Sequence, residues 1–194
     1  KAYAFLWIGR MYRDGKGVEK DLDKAIEWMR KATEKNPVCK NEFIDVLWRR
    51  SNSEDLRELR SSIEEGVAEE DLNALQWFSR MYRDGKGVEK DLDKAIDLMR
   101  KVADKKYGWS RNELIDMLLK RANDDDLTEA FGIAQEFASD GNHGALGRLG
   151  RMYRDGSGIK KDHDKAIECM YKAVEGNPVW RTELQELLKN KKEE

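Results

Sequence analysis

The chain of 194 residues has little of what several protein classes need. It contains two prolines, two cysteines and two histidines, and no apolar run approaches the roughly 18 residues of a membrane span. Cys39 and Cys169 have no Cys or His around them at metal-ligand spacing, so we expect neither a metal site nor a cofactor. Unpaired cysteines of this kind are typical of a reducing compartment, which favours a cytoplasmic location.

An excess of charge of one sign is also missing, because 37 Lys and Arg residues stand against 39 Asp and Glu residues. Nucleic acids and anionic membranes are bound by clustered basic side chains, so we expect no nucleic-acid partner and no membrane insertion. Charged residues make up 39% of the chain, against about a quarter in ordinary domains. Most side chains therefore face water, and the core is thin.

What the sequence does contain is an internal repeat. Residues 10–26 recur without a change at residues 80–96, and a third copy at residues 151–167 differs at four positions. The spacing is about twice that of a helical-hairpin repeat, which predicts two hairpins in each repeat. We therefore predict a single domain over residues 1–194. Its repeats lie near residues 1–70, 71–141 and 142–194, each with one clear and one degenerate hairpin, the last incomplete.

The first hairpin has recognisable helix signals. Ala4, Ile8 and Tyr12 fall at i, i+4 and i+8, which predicts one apolar stripe on the first helix. Glycines beginning at Gly15 then predict the end of that helix, and Asp21 is placed to cap the next one. Strand patterns are absent, so the predicted fold is all-α with about eleven helices, the last repeat lacking its fourth.

The pattern from Ala4 to Ala32 resembles the Sel1-like repeat, a relative of the tetratricopeptide repeat. Ser79 in the second copy departs from that pattern at the helix glycine. The resemblance implies a right-handed α-solenoid of antiparallel helical hairpins, and a non-enzymatic role in protein–protein interaction or as an adaptor. The matching residues are Ala4, Ile8, Gly9, Tyr12, Gly15, Gly17, Val18, Asp21, Lys24, Ala25, Trp28, Lys31 and Ala32.

Candidate binding residues come from the face of each first helix opposite the apolar stripe, at about 100° per residue. The resemblance implies that this face lines a concave groove. Its first two positions vary between repeats and are candidates for specificity: Tyr3 and Leu6, Asn73 and Gln76, Gly144 and Gly147. The next two positions are arginines: Arg10, Arg13, Arg80, Arg83, Arg151 and Arg154. Arginine forks suit carboxylates, so we expect a protein or peptide partner, acidic or carboxylate-bearing.

Acidic residues on the third helices support two interpretations of these arginines. If both sets lie on one wall, the arginines either contact a ligand or form salt bridges between helices. Exposed ion pairs contribute only about 0–1 kcal/mol each, too little to explain them as fold stabilisers. The candidate peptide-binding face includes the acids of the first two repeats: Glu42, Asp45, Glu113 and Asp116. Glu183 and Glu186 stand at the same positions of the last repeat.

Catalysis is not predicted. His143 and His163 have no counterparts in the other repeats, and no nucleophile or acid–base set is repeated. The sequence begins at Lys1 rather than Met, so the alternative hypothesis is a repeat region appended to a catalytic domain in a longer parent protein, where it positions or assembles that enzyme.

Overall fold

The computed structural model describes residues 1–105 and 108–191. Within these residues the chain forms eleven α-helices and no β-strand, which confirms the all-α solenoid class. A short 3-10 turn, Pro37–Cys39, precedes the third helix, and a second, Pro178–Trp180, precedes the last. The helices are α1 (Ala2–Asp14), α2 (Leu22–Lys35), α3 (Lys40–Arg50), α4 (Ser53–Ala68), α5 (Leu72–Asp84), α6 (Leu92–Lys105), α7 (Trp109–Arg121), α8 (Asp124–Ser139), α9 (His143–Asp155), α10 (His163–Gly176) and α11 (Arg181–Asn190).

The helices form two compact units, Lys1–Asp91 and Leu92–Glu194, called here the N-terminal and C-terminal units. In the N-terminal unit each of the helices α1 to α4 packs against the next helix along the chain, ending with α5. The same holds for α6 to α10 in the C-terminal unit, which ends with α11. No helix in the described part of the chain is both long enough and apolar enough to cross a membrane.

The glycine turn after α1 ends that helix as expected. Gly15 has φ 69°, the left-handed conformation that glycine adopts without steric cost. The backbone N–H of Asp21 then donates to the carbonyl of Tyr12 at 2.9 Å, and the Asp21 side chain accepts from the N–H of Lys24 at 3.0 Å. The turn therefore returns the chain directly into a capped α2. The same turn follows α5 and α9 in the other two repeats.

The buried side of α1 differs from the predicted stripe. Ala4 is exposed and Ile8 half-buried, whereas Leu6 and Gly9 are buried. In α5 and α9 the equivalent alanines, Ala74 and Ala145, are buried. The physical reason is that α4 packs on α5 and α8 packs on α9, and no earlier helix of the N-terminal unit covers α1 in that way.

Candidate partner-binding face

An arginine–glutamate pair joins the first and third helices of the N-terminal unit. The Arg10 Nε donates to Glu42 Oε2 at 2.7 Å, and its Nη2 donates to Glu42 Oε1, so the guanidinium is bound in a fork. The same guanidinium lies 5.0 Å from the ring centroid of Trp7. The Trp7 side chain is 61% exposed. Two helices therefore fix a cation over an aromatic ring that is open to solvent.

Arg13 lies one helical turn further along α1 and extends the charged network. Its Nε and Nη2 donate to the two carboxylate oxygens of Asp14 at 2.7 and 2.9 Å. Its Nη1 lies 3.5 Å from Glu42 Oε2 and 3.8 Å from Asp45 Oδ2. Asp45 also accepts from Arg49 Nε at 2.8 Å. Arg13 therefore connects the acids of α3 with the end of α1.

The C-terminal unit builds the same arrangement from the third repeat. Arg151 Nε donates to Glu183 Oε2 at 2.7 Å, and its Nη2 donates to Oε1. The Arg151 guanidinium lies 4.7 Å from the ring centroid of Trp180. Arg154 binds both carboxylate oxygens of Asp155 and places Nη1 3.6 Å from Glu183 Oε2. We call each of these assemblies an arginine face: Arg10, Arg13, Glu42, Asp45 and Trp7 in one unit, and Arg151, Arg154, Glu183 and Trp180 in the other.

The remaining predicted residues belong to the second repeat. The Arg80 guanidinium lies 5.0 Å from the Trp77 ring centroid, and Arg83 donates to both oxygens of Asp84 at 2.8 Å. Glu113 is half-buried on α7. Asp116, on the same helix, accepts from Arg148 Nε at 2.7 Å. Arg148 therefore joins α9 to α7 from the position that holds tryptophan in the first two repeats.

Ion pairing changes the titration of these faces. The hydrogen bond from Arg10 lowers the pKa of Glu42, and the bond from Arg151 lowers the pKa of Glu183 in the same way. The partner carboxylates in turn raise the pKa of Arg10 and of Arg151. The pairs are therefore ionised at neutral pH, and both arginine faces carry alternating fixed charges.

One prediction about this face is wrong. Leu6, Gln76 and Gly147 were expected opposite the core and are buried instead. A helical wheel with one apolar side assumes one packing partner, but α1 packs on α2 and also contacts the turn before α3. In the third repeat the space at Gly147 is taken by the ring of Trp180.

The tryptophan–arginine stacks were not identified from the sequence. Trp7 and Arg10 are three residues apart on one helix, a spacing that places them on the same side, so this stack could have been found. The stack of Trp180 on Arg151 joins residues far apart in sequence, and no local signal marks it. Chemically both faces offer fixed charges, and the N-terminal face also offers the exposed ring of Trp7, whereas Trp180 is only 6% exposed. Among the described residues no group of three or more His, Cys, Asp or Glu side chains could hold a metal ion.

Comparison with known proteins agrees with the repeat pattern. The Sel1 repeat model matches residues 2–37, 74–107 and 144–178, slightly more than half of the chain. A crystal structure of a Sel1 repeat protein from Oxalobacter formigenes is similar over 91% of this chain and 74% of that chain, with a TM-score of 0.67 and 25% identity.

Two further solved structures share the fold at lower identity. One is c5321, a protective antigen of uropathogenic Escherichia coli strains displaying an SLR fold. It has a TM-score of 0.51 and 20% identity over 98% of this chain and 49% of that chain. The other is MamA protein, with a TM-score of 0.55 and 17% identity over 90% of both chains. These likenesses establish the fold alone.

Proposed function

The chain belongs to the Sel1 repeat family, whose members are generally protein-interaction modules and typically non-catalytic, and we propose that it binds a peptide or partner protein on its arginine faces. The observation that carries this proposal is the Trp7 ring, which stays 61% exposed while the Arg10 guanidinium stacks on it. The exposed part of the tryptophan gains no burial energy in the free chain, so that apolar area is available to a partner.

Preorganisation supports the same surface. Glu42 holds Arg10 in a fork, so the stacked pair loses little side-chain entropy when a partner binds. Trp and Arg are the side chains most enriched among residues that dominate binding energy. The ion pairs themselves contribute about 0–1 kcal/mol each to folding where they are exposed. Binding therefore explains the repeated assembly better than stability does.

The contacts that the arginines already make limit the chemistry of the partner. Glu42 and Glu183 accept from the forks of Arg10 and Arg151, so an acidic ligand has to displace them or approach the outer guanidinium edge. Because the forks are already occupied, the preference for an acidic or carboxylate-bearing partner remains a prediction. The stacked Trp7 ring favours a partner that contributes flat or apolar groups beside its charges.

Peptide selection tests the proposal without a known partner. A random peptide library is selected on the purified chain, and the enriched peptide is labelled and titrated by fluorescence anisotropy. We expect Trp7→Ala and Arg10→Ala each to weaken binding by about tenfold or more, as for residues at the centre of an interface. The triple change of Arg10, Arg80 and Arg151 to Ala extends the test to all three repeats.

The matched control is Arg60→Ala on α4. Arg60 is also an arginine in an ion pair, with Glu64 at 2.7 Å, and its side chain is 50% exposed. Arg60→Ala should leave the affinity unchanged. Full binding by both Trp7→Ala and Arg10→Ala would refute the site. Glu42→Gln then reports the ligand's charge: affinity rises for an acidic peptide, because its competitor is gone, and falls for a neutral one.

A further inference from the structure

A cavity of about 480 Å³ opens in the N-terminal unit between α3, α4 and the start of α5. Its floor is apolar and buried, formed by Ile44, Ile63 and Ala74. Its rim is polar and includes Lys40 and Asn41. Protein pockets that bind small groups have volumes of about 300–1,000 Å³, an apolar lining and a few polar groups. Neither Trp7 nor Arg10 lines the cavity, so a ligand in it is independent of the proposed function of the arginine faces.

The C-terminal unit shows which group fits at the equivalent position. Asn52 caps α4 and Asn123 caps α8, which sets the two helices in register. In that register Gly66, which lines the cavity, corresponds to Phe137. The Phe137 ring is buried, with 5% of the residue exposed. The N-terminal unit therefore has a cavity beside the position where the C-terminal unit carries an aromatic ring, while the Cβ position of Gly66 itself is taken by the side chain of Ala74.

A cation accompanies that ring. The Arg111 guanidinium lies 5.6 Å from the Phe137 ring centroid. The residue equivalent to Arg111 is Lys40, which stands at the rim of the cavity. A ring placed in the cavity would thus have a cationic side chain within reach of its face, as Phe137 does.

The two units also bury a phenylalanine ring at different positions. In the N-terminal unit Phe43 is buried on α3, and its counterpart on α7 is Leu114. A smaller cavity, about 270 Å³, lies beside Leu114. Each unit thus buries one phenylalanine at one of these two positions and has a cavity beside the other. The larger opening is the one beside Gly66.

The turn at the mouth of the larger cavity is acidic. Glu69, Glu70 and Asp71 are consecutive, whereas the equivalent turn of the C-terminal unit contains Asp140, Gly141 and Asn142. Glu70 has φ 56°, and Gly141 has φ 80° at the same position. A non-glycine residue in the left-handed region costs about 1 kcal/mol, and Ser51 and Ala122 adopt it at other helix ends. The mouth of the cavity therefore carries the carboxylates of Glu69 and Asp71.

We propose that this cavity receives an aromatic side chain of a partner polypeptide, and that the acidic turn selects a partner with Lys or Arg beside that side chain. The apolar floor takes the ring, and Lys40 lies over it. The basic neighbour meets the carboxylates of Glu69 and Asp71, which are exposed at the mouth. Charge complementarity then fixes the direction in which the partner segment enters.

Titration of short peptides against the isotope-labelled chain tests this proposal by NMR. The probe is N-acetyl-phenylalanyl-lysine amide, with the alanyl-lysine and phenylalanyl-glutamate amides as comparisons. We expect the first to shift the amide signals of Ile44, Ile63 and Ala74, with a Kd of about 1–10 mM for so small a ligand. The alanyl peptide should cause no saturable shift. The glutamate peptide should bind at least about threefold more weakly.

Variants on α4 separate the cavity from the general surface. Ser62 lines the cavity and is half-buried, so Ser62→Phe fills it and should abolish the saturable shifts. The neighbouring Ser61 is exposed, and Ser61→Phe adds the same ring toward solvent as the matched control. Gly66 itself is left unchanged, because a Cβ there would lie 2.7 Å from the Cβ of Ala74.

The charge of the turn is tested separately with Glu69→Gln combined with Asp71→Asn, which keeps the cavity, because an asparagine can still accept from the N–H of Ala74. This variant should lose the preference for lysine over glutamate while still binding the ring. Three results would overturn the proposal: equal shifts with the alanyl and phenylalanyl peptides, no saturable shift of the floor residues, or unchanged shifts in a folded Ser62→Phe. If Ser62→Phe does not fold, the comparison of the three peptides and the charge variant of the turn still test the proposal. None of these readouts depends on Trp7 or Arg10.

Discussion

One methionine position has different surroundings in the three repeats, although the local sequences are nearly identical. It holds Met11, Met81 and Met152. Met11 is 38% exposed, whereas Met81 is 0% and Met152 is 1% exposed. A Cβ on Gly17 would touch only the Met11 side chain, but one on Gly87 would also meet Leu56 of α4 at 3.2–3.3 Å. The neighbouring helix, not the local sequence, decides the burial of this side chain.

Met81→Ala and Met11→Ala form a matched pair that measures this difference. Met81→Ala should lower the free energy of unfolding by about 2–5 kcal/mol, because it removes a fully buried side chain and leaves a cavity. Met11→Ala should cost less than about 1 kcal/mol, as expected for a partly exposed site. Urea unfolding followed by circular dichroism measures both. Equal losses would contradict the different burial of the two side chains.

At the level of helices, a buried aspartate joins three elements of the N-terminal unit. Arg50, at the end of α3, donates to both oxygens of Asp55 near the start of α4 and to Asp23 near the start of α2. The Asp55 side chain is 1% exposed. Arg121, Asp126 and Asp93 repeat the arrangement in the C-terminal unit. In each unit these ion pairs connect the C-terminus of one helix to the N-termini of two others. Carboxylates at helix N-termini are also stabilised by the helix dipole.

Asp55→Ala should therefore destabilise the chain by about 3–5 kcal/mol, since it leaves Arg50 without its buried partner. Asp23→Ala removes the other partner of the same arginine, but the Asp23 side chain is 81% exposed, so its loss should stay below about 1 kcal/mol. Guanidinium chloride titration of both variants gives the comparison. If Asp23→Ala cost as much as Asp55→Ala, burial would not be what makes the Arg50–Asp55 pair important.

The helices themselves could be predicted from the sequence because their signals are local. Gly15 requires a left-handed turn, and Asp21 caps α2 three residues before the N–H that it accepts from. Contacts between helices could not be predicted in this way. In the first repeat Glu42 pairs with Arg10. In the second repeat Asp116, the counterpart of Asp45, pairs with Arg148, a residue that has no arginine counterpart in the first two repeats.

The sizes of the side chains that pack together in the core could not be predicted from the local sequence either. Leu6 and Cys39 share the core of the N-terminal unit, and the equivalent positions in the third repeat are Gly147 and Trp180. The Trp180 ring occupies the space beside Gly147. Taken alone, the glycine predicts an open surface. The tryptophan taken alone predicts an exposed aromatic ring. Only their pairing shows that together they fill one volume.

For the whole molecule, many of the 37 basic and 39 acidic residues form ion pairs within the described part of the chain. The pKa of Glu42, of Glu183 and of Asp126 is lowered in each case first by a hydrogen bond from an arginine. The side chains of these acids are 29%, 21% and 2% exposed, so solvent screens them less than the many surface pairs. These acids should dominate the pH dependence of stability.

The sign of that dependence follows from the lowered pKa values. Each carboxylate binds its proton more readily in the unfolded chain, so its contribution is complete above the usual values of 4.5 for Glu and 3.8 for Asp. It is lost as the pH falls through the lower values of the folded state. Urea unfolding should show a plateau above pH of about 5 and a loss of about 2 kcal/mol or more on acidification to pH of about 3.

The double variant Glu42→Gln and Glu183→Gln is the control for this assignment. It should be less stable than the wild type at neutral pH, because two charge-assisted forks become neutral hydrogen bonds. Its stability should also fall less on acidification, because two of the titrating groups are gone. A parallel, equally steep loss in the variant would show that other carboxylates govern the transition. A rise in stability on acidification would contradict the ion pairing of both arginine faces.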